Sequence, residues 1–291
     1  MKIHITFLSV LGISIASFFV SCNKKETVEV DNETQSSVDN AIAEQEYMAV
    51  IPAVQSHAIN TKGTGAQGGK SANTRCDTLT LISGDTLWGA PGHIDPTYTM
   101  NISNNACAQT LADGRFRQGF LSVRLTGKVR TTGSKMIIKM INYRAALVSY
   151  KCDSLVVTTV EAGSNFNKFN VRLVNGICQT NNWVIRYSFD RTTTFYPLGN
   201  SSSDPVTYIY GTASGTNRQG RNFSMSIPEI SPLVKYSSCE YISSGIMSLT
   251  PDGFATRTID YGYSISPAVY GGCDEDASFT VNGNTVAFKL K

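Results

Sequence analysis

The stretch Trp183-Val-Ile-Arg-Tyr-Ser-Phe-Asp190 alternates apolar side chains with mostly polar ones. Every odd residue of the stretch is aliphatic or aromatic, whereas three of the four residues between them are polar or charged. Because successive side chains of a β-strand point to opposite faces, this pattern predicts a strand with one face on a core and the other in water. Residues 168–173 and 223–227 repeat the pattern. Such one-sided strands are typical of antiparallel sheets.

Strands of this kind recur about every ten residues from Arg75 onward, in a composition rich in Thr, Ser, Asn, Gly, Tyr and Val. These residue types suit pleated surfaces and tight turns. No segment with helical periodicity separates the strands, which argues against folds that alternate strands with helices. We therefore predict that residues 75–291 form an all-β body. It is either an antiparallel β-sandwich or a large curled β-meander, preceded by one helix and flexible linkers.

The last hairpin has a sequence that predicts its register. Asn282-Gly283 is the preferred two-residue type I′ turn, so Val281 is expected to pair with Asn284. Pairing then continues with Phe279 opposite Val286, and with Ala277 opposite Phe288. In this register the apolar residues all lie on one face of the hairpin. A shift of one residue in the pairing would place apolar residues opposite polar ones.

Two segments of the body, residues 75–130 and 236–291, resemble each other. Each holds two cysteines, separated by 31 residues in the first (Cys76 and Cys107) and by 34 in the second (Cys239 and Cys273). A Thr-rich strand lies between the cysteines, and a hairpin turn follows the second one. The pattern predicts two related β-cassettes on either side of a central strand region. Chance similarity among Thr-rich strands is the alternative.

Residues 1–21 have the features of an export signal. Lys2 precedes an uncharged, largely apolar segment, residues 5–20, and Cys22 follows directly after Ser21. A cysteine at this place resembles the lipobox of bacterial lipoproteins, in which the thiol receives a lipid. A transmembrane helix is one alternative, although the segment is shorter than the roughly 20 residues needed. An ordinary cleaved signal, without a lipid, is the other.

Cys22 is therefore the predicted lipid-attachment site, and a membrane is the predicted partner of that lipid. Removing Cys22 from the seven cysteines leaves an even number, as expected for an exported protein without a reactive thiol. An aspartate directly after the lipidated cysteine would resemble an inner-membrane retention signal. This chain has Asn23 at that position. The sequence thus favours the outer membrane, with the body on its periplasmic or its cell-surface face.

The six other cysteines are predicted to form disulfides in an oxidising compartment. Fifteen pairings exist for six cysteines. The repeated spacing favours Cys76–Cys107 and Cys239–Cys273, which leaves Cys152–Cys178 for the middle of the body. A metal site is the competing account, but the chain has no C-x-x-C pair and no cluster of histidines.

The segment between the lipid site and the body divides into three parts. Residues 22–33 are polar and charged, which is typical of a tether. Residues 34–52 are predicted to form a helix that begins at Thr34 or Ser36 and stops at Pro52. Its expected buried stripe consists of residues three or four apart in sequence, namely Val38, Ile42, Gln45 and Ala49. Ala41 and Met48 widen this stripe. Residues 53–74 are predicted to be a flexible linker.

The body offers few residues for catalysis or metal binding. His93 lies in a loop-like stretch, and no G-x-S-x-G motif accompanies it. Asp260, Asp274 and Asp276 carry the oxygen ligands that calcium prefers, although no D-x-[DN]-x-[DN]-G loop is present. Residues 63–71 lack the glycine spacing of a phosphate-binding loop. We therefore expect no catalytic residue, no cofactor and no metal. Solvated acids are the main interpretation of the three aspartates, and a calcium site is the alternative.

Charge and aromatic content narrow the classes of partner. The net charge is +3, without a basic cluster interleaved with aromatic residues, so nucleic acid is not an expected partner. Tyr208 and Tyr210 share one strand face, as do Tyr261 and Tyr263. Such rows can stack on sugar rings, although cross-strand packing in a core is the more common use of aromatic pairs.

Several motifs occur in a fixed order: Tyr210-Gly-Thr-Ala-Ser-Gly-Thr-Asn-Arg-Gln-Gly220, Pro232-Leu-Val234, Cys239, Ile259-Asp-Tyr-Gly262, Cys273-Asp274 and Val281-Asn-Gly283. This string resembles a group of exported lipoproteins from Bacteroidota. The resemblance implies a lipid-anchored β protein of the envelope. It implies no activity and assigns no catalytic residue.

The predicted function is a binding or structural role at the cell envelope, with a glycan or an envelope protein as the partner. A hydrolase that cleaves glycans with carboxylates is the alternative. A binding module is expected to show an aromatic or polar platform on one sheet face. A hydrolase requires a cleft with converging acids.

Overall fold

The computed structural model describes residues 31–60, 78–83, 97–101, 116–197, 204–239, 241–262 and 273–289. The described residues form one helix, α1 (Gln35–Asn60). They also form fifteen strands of a single sheet. The first eight are β1 (Thr78–Ser83), β2 (Thr97–Asn101), β3 (Arg117–Leu125), β4 (Lys135–Ala145), β5 (Val148–Lys151), β6 (Ser154–Ala162), β7 (Asn167–Gln179) and β8 (Val184–Tyr196). The others are β9 (Val206–Thr216), β10 (Asn222–Ile227), β11 (Leu233–Tyr236), β12 (Ile246–Pro251), β13 (Arg257–Asp260), β14 (Asp276–Val281) and β15 (Asn284–Lys289).

The strands follow one another in the sheet almost in chain order, and every pairing is antiparallel. β5 and β6 share one position, because each pairs with part of β4 and part of β7. β9 is long enough to pair with both β10 and β11 on one edge. The all-β prediction is confirmed, and of its two forms the structure shows the meander.

The alternation that predicted the strands also divides the sheet into two faces. On β8 the residues Ile185, Tyr187, Phe189 and Arg191 are buried, whereas the residues between them are half-buried or exposed. β7 and β10 show the same alternation. We call the buried side the inner face and the opposite side the outer face. The core lies on the inner face, where residues from α1 and the sheet form one apolar cluster.

The last hairpin has the predicted register. Val281 pairs with Asn284, Phe279 with Val286, and Ala277 with Phe288. The turn residues Asn282 and Gly283 have φ angles of 50° and 77°, as a type I′ turn requires. The hairpin lies at the end of the sheet, and β15 is its last strand. This strand is exposed along its whole length, and Val286 is 63% exposed, because β15 borders only β14 and lies at the edge of the sheet.

Helix α1 is longer than the sequence predicts, since it continues through Pro52 to Asn60. A proline inside a helix removes one backbone hydrogen bond. Here the Pro52 ring is exposed, while Ile51 and Val54 on either side of it are buried. The packing of these side chains maintains the helix across the proline. At the start of α1, the Glu33 carboxylate accepts a hydrogen bond from the Ser36 N–H at 2.9 Å, so the cap lies within the predicted tether.

The predicted buried stripe of α1 is only partly correct, since Ile42 and Met48 pack against the core but the most deeply buried face is a different one. Val38 is 48% exposed, and Gln45 is also exposed. The buried side chains follow a helical stripe that is charged or polar at half of its positions: Glu33, Ser36, Asp39, Asn40, Ala43, Glu46, Tyr47, Val50, Ile51 and Val54. Apolar periodicity therefore predicted the helix but not which face is buried. Buried acids are tolerated where they form ion pairs with cations, and apolar spacing does not show such pairs.

The sheet curls around α1. Side chains between Glu33 and Glu46 contact strands from β3 to β13. This length of helix covers about 20 Å, whereas the eight strand spacings between β3 and β13 would cover about 38 Å in a flat sheet. A short helix reaches so many strands only if the sheet bends around it. The inner face is therefore concave, and α1 lies in the concavity.

Cys239 and Cys273 form the predicted disulfide, with their Cα atoms 5.4 Å apart. It connects the segment after β11 to the residues before β14. Cys22, Cys76 and Cys107 lie outside the described residues. The predicted Cys76–Cys107 disulfide therefore also lies outside them. The two similar cassettes correspond in the described residues to β1–β3 and to β12–β15, at the two ends of the sheet. Their common origin stays a prediction.

The predicted Cys152–Cys178 disulfide is not formed in this structure, where both residues are thiols. Cys178 lies opposite Tyr150, and Lys151 lies opposite Ile177. Continuing this register places Cys152 opposite the residue at 176, so the two cysteines are diagonal neighbours. Diagonal positions are about 7–8 Å apart, whereas bridged cysteines need Cα atoms within about 7 Å. Burial raises the pKa of Cys152 to about 11 and that of Cys178 to about 12.

Candidate functional site

The acids on the inner side of α1 each meet an arginine from the sheet. Glu46 accepts hydrogen bonds from Nε of Arg117 at 2.8 Å and from the hydroxyl of Tyr143 at 2.5 Å. The side chains of Glu46 and Arg117 are almost completely buried. Burial, and then the Glu46 carboxylate, raise the pKa of Tyr143. The three side chains form a closed buried network at the β3–β4 end of the helix groove.

A second network holds the middle of α1. Glu44 accepts a hydrogen bond from Nε of Arg191 at 2.9 Å and another from the hydroxyl of Tyr187 at 3.0 Å. The same hydroxyl lies 3.0 Å from Asn40. Burial opposes the charge of Arg191, but the Glu44 carboxylate outweighs this effect and the pKa of Arg191 is raised. The charged form of Arg191 is therefore stabilised inside the fold.

Two more arginines hold the N-terminal end of α1. Arg218 donates from Nε to Asp39 at 2.8 Å and from its backbone N–H at 2.7 Å. Arg257 contacts Asp31 and donates from Nε to the Glu33 carbonyl at 2.8 Å. The acids of α1 are thus paired with cations and hold the helix in place. They do not form a pair of free carboxylates facing a substrate.

The outer face carries rows of hydroxyl side chains where β8 to β15 cross it. Directly opposed residues on successive strands form the first row: Thr212, Ser226, Ser248, Thr258, Thr280 and Thr285. A second row lies two residues further along the strands: Ser188, Ser214, Ser224 and Thr250. We call these two rows the hydroxyl face.

The hydroxyl face is a regular array. Neighbouring hydroxyls in a row are about 4.8 Å apart, and the two rows are about 7 Å apart along the strands. All ten side chains are half-buried or exposed. Within the array, the hydroxyls of Thr280 and Thr285 are hydrogen-bonded at 2.8 Å. Because each hydroxyl both donates and accepts, the surface can bind another hydroxyl-rich surface at many points.

A depression of about 360 Å³ lies at the β7–β8 end of the hydroxyl face. Its lining includes the outer-face side chains Asn175, Arg186, Ser188, Ser214, Thr216 and Asn222. Gly176 and Gly215 also line it. A Cβ on Gly215 would lie 2.5 Å from the Arg186 carbonyl and 2.6 Å from the Phe223 ring. A larger residue would therefore clash there with the backbone of β8 and with the Phe223 ring of β10.

The depression presents mainly hydrogen-bond donors. The Ser188 hydroxyl oxygen accepts the Asn175 N–H at 3.1 Å, so its own proton is free to donate. The Thr216 hydroxyl donates to the Asn222 side-chain oxygen at 2.8 Å, which leaves the Asn222 amide N–H groups for a ligand. The Arg186 guanidinium adds further donors. Among the described residues that line the depression, none carries a carboxylate.

The predicted calcium residues do not converge. The Asp260 carboxylate accepts the Gly262 N–H at 2.9 Å, and the Asp274 carboxylate accepts the Asp276 N–H at 2.9 Å. Asp276 forms an ion pair with Lys289 at 2.6 Å. The described part of the chain contains no group of three or more Asp, Glu, His or Cys residues placed for a metal ion. His93 lies outside the described residues.

The tyrosine rows have structural contacts. The Tyr208 ring packs edge-on against Tyr196, with centroids 5.8 Å apart, and Lys168 lies 5.7 Å from the centroid of Tyr210. Tyr263 lies outside the described residues. Sequence reasoning missed both the hydroxyl face and the depression. The Ser and Thr residues of 222–226, 246–250 and 256–258 alternate visibly, but only the register shows that they line up across strands.

Helix α1 is the single helix among the described residues, and it is not apolar enough over a sufficient length to cross a membrane. Comparisons of this chain with protein-family models, with curated proteins and with solved structures found no match.

Proposed function

We propose that this protein is an exported lipoprotein, anchored in the outer membrane through Cys22, whose hydroxyl face binds a hydroxyl-rich glycan at the cell envelope. The observation that carries the binding role is the pair of hydroxyl rows across β8 to β15. The anchoring role is supported by the apolar segment before Cys22 and by the resemblance of the ordered motifs to those of exported lipoproteins.

The chemistry of the hydroxyl face suits a glycan better than an apolar or a nucleic-acid partner. Between Thr212 and Thr285 the first row contains only uncharged hydroxyl side chains. A single such hydrogen bond contributes about 0.5–1.5 kcal/mol net. Several formed together give a dissociation constant between about 1 mM and 1 µM, which corresponds to about 4–8 kcal/mol. A long polymer can also engage several copies of an anchored protein at once.

Glycan binding is favoured over glycan hydrolysis by the positions of the described acids. A glycosidase needs two carboxyl groups on either side of the scissile bond. The acids of α1 are bound by arginines on the inner face, and the depression on the outer face has no carboxylate in its lining. Among the described residues, the hydroxyl face therefore favours the binding of a glycan.

Lipid attachment is tested by growing producing cells with labelled palmitate. The full-length protein is expected to take up the label, and Cys22→Ser is expected to lose it completely because the acceptor thiol is gone. Cys152→Ser changes a thiol of the body and serves as the matched control, which keeps the label. Equal labelling of Cys22→Ser and the unchanged protein would contradict the anchor.

Glycan binding is tested with the full chain by affinity electrophoresis in gels that contain a β-glucan, a xylan or a mannan. We expect at least one of these polymers to retard the protein. Ser224→Tyr places a bulky ring in the middle of the second row and is expected to weaken that binding at least tenfold. Ser224 is exposed on the outer face, so the substitution leaves the core intact.

Ser122→Tyr is the matched control for this experiment. Ser122 lies on β3, six strand positions from β10 and thus about 29 Å away along the sheet. It is expected to bind as the unchanged protein does. Absence of binding to these neutral polymers and also to acidic polygalacturonate would overturn the proposed function. Equal weakening by the two variants would show that binding does not occur at the hydroxyl face.

A further inference from the structure

We infer that the depression around Arg186 is a subsite for a carboxylate-bearing sugar, so that the glycan bound by the hydroxyl face is an acidic polysaccharide containing uronic acid units. This inference rests on the proposed function and adds the class of ligand. It is drawn from the position of Arg186, from the partners of the neighbouring charges and from the donor groups of the depression.

Arg186 is an exposed cation in an otherwise uncharged lining. It lies on β8, opposite Ile177 on β7 and Thr216 on β9, so neither direct neighbour carries a charge. Among the residues that the structure describes, no ion pair or hydrogen bond engages its guanidinium. Its charge is therefore available to a ligand.

Two acids near the depression, Asp190 and Asp153, have partners of their own. Asp190 lies four residues along β8, about 13 Å from Arg186. It accepts a hydrogen bond from Asn170 and lies directly opposite Arg172. Asp153 lies two strand positions from β8, about 10 Å away, and accepts the Asn175 amide N–H at 2.6 Å. Neither carboxylate competes directly for the Arg186 guanidinium.

The other arginines near the hydroxyl face already have partners. Arg218 is paired with Asp39 and lies over the Trp183 ring, 4.4 Å from its centroid. Arg221 donates to the Asp252 carbonyl at 3.0 Å and lies over the Phe254 ring. These contacts fix both side chains at the sheet margin. Arg186 differs from them because it combines exposure with a concave, polar setting.

The donors of the depression favour a ligand rich in acceptors. A planar guanidinium binds a carboxylate through two parallel hydrogen bonds, and such charge-assisted bonds are about twice as strong as neutral ones. The Ser188 hydroxyl and the Asn222 amide can donate to ring and hydroxyl oxygens of the same sugar. A volume of 360 Å³ falls at the small end of ligand sites, which are about 300–1,000 Å³. The site therefore suits a short part of a polymer.

The test compares polygalacturonate fragments with the same fragments after reduction of their carboxyl groups, by calorimetry with the full chain. The two ligands differ only at the carboxyl carbon. We expect the acidic fragment to bind at least tenfold more tightly at low salt. Arg186→Gln is expected to abolish that preference while retaining the weaker binding of the reduced fragment, which also shows that the variant is folded.

Arg124→Gln is the matched control, because Arg124 is an exposed arginine of the outer face on β3 and lies opposite uncharged residues. It is expected to keep the preference for the acidic fragment. Equal binding of the two fragments to the unchanged protein would overturn this inference and leave the proposed function standing. An undiminished preference in Arg186→Gln would also overturn it. Absence of binding to both fragments, and to the neutral polymers, would overturn the proposed function itself.

Discussion

Glu46→Leu is expected to lower the free energy of unfolding by about 3–5 kcal/mol, the typical cost of removing one partner of a buried ion pair. The substitution leaves the Arg117 guanidinium buried without its carboxylate, and it removes the acceptor of the Tyr143 hydroxyl. Typical domains are stable by about 5–15 kcal/mol. One buried carboxylate thus accounts for a large share of the stability.

The measurement is equilibrium unfolding in urea, followed by tryptophan fluorescence and circular dichroism. Glu161→Leu is the matched control, because Glu161 is an exposed acid at the end of β6. Replacing an exposed acid away from such networks changes stability by about 0.5 kcal/mol or less. A loss as large in the control as in Glu46→Leu would show that burial of the ion pair is not the cause.

A double substitution separates the ion pair from general disruption of the core. Glu46→Leu combined with Arg117→Met removes both charges and replaces the two side chains with apolar ones of similar size. Replacing both members of a buried pair is often nearly neutral, whereas removing one is costly. We therefore expect the double variant to be more stable than Glu46→Leu alone. Strict additivity of the two single losses would contradict an energetic coupling between the two residues.

Removing the Cys239–Cys273 disulfide is the second large effect, with an expected loss of about 4 kcal/mol. The bridge closes a loop with a sequence separation of 34 residues. The chain-entropy relation assigns about 4 kcal/mol to a loop of this length, because the bridge restricts the unfolded chain. β12 and β13 lie within that loop, so we expect the strands at this end of the sheet to lose order first.

The double variant Cys239→Ala/Cys273→Ala is compared with the unchanged protein in urea, with and without a reductant. Reduction of the unchanged protein is expected to produce most of the same loss. It is expected to have little effect on the double variant. Cys178→Ala, which removes a buried thiol outside this bridge, should keep the sensitivity to the reductant. If reduction left the unchanged protein as stable as before, the bridge would not stabilise the fold.

The strands were predictable because their signal is local. In residues 183–190 each inner side chain differs in polarity from its neighbours, and this difference depends only on the two-residue period of a strand. The register of β14 and β15 was also predictable, since the Asn282-Gly283 turn determines which residues face each other. The burial of that hairpin was not predictable, because it depends on whether another part of the protein covers the edge of the sheet.

The face of α1 could not be predicted from the chain alone. Val38, Ile42, Gln45 and Ala49 form an acceptable apolar stripe, yet the helix buries Asp39 and Glu46 instead. A buried carboxylate is unfavourable until a cation satisfies it. The cations are Arg117 and Arg218, which lie about 70 and 180 residues away in sequence. No local pattern shows that they converge on the helix.

The sequence by itself determined the strand periodicity, the last turn and the Cys239–Cys273 pairing, since each depends on residues close together in the chain or on a repeated spacing. The anchor at Cys22 stays a prediction. The tertiary structure alone decided the orientation of α1, the hydroxyl face and the depression around Arg186. Each of these depends on side chains that become neighbours only when distant strands pair and the sheet curls. Their energies come from burial and from cross-strand contact, which the linear order of residues does not specify.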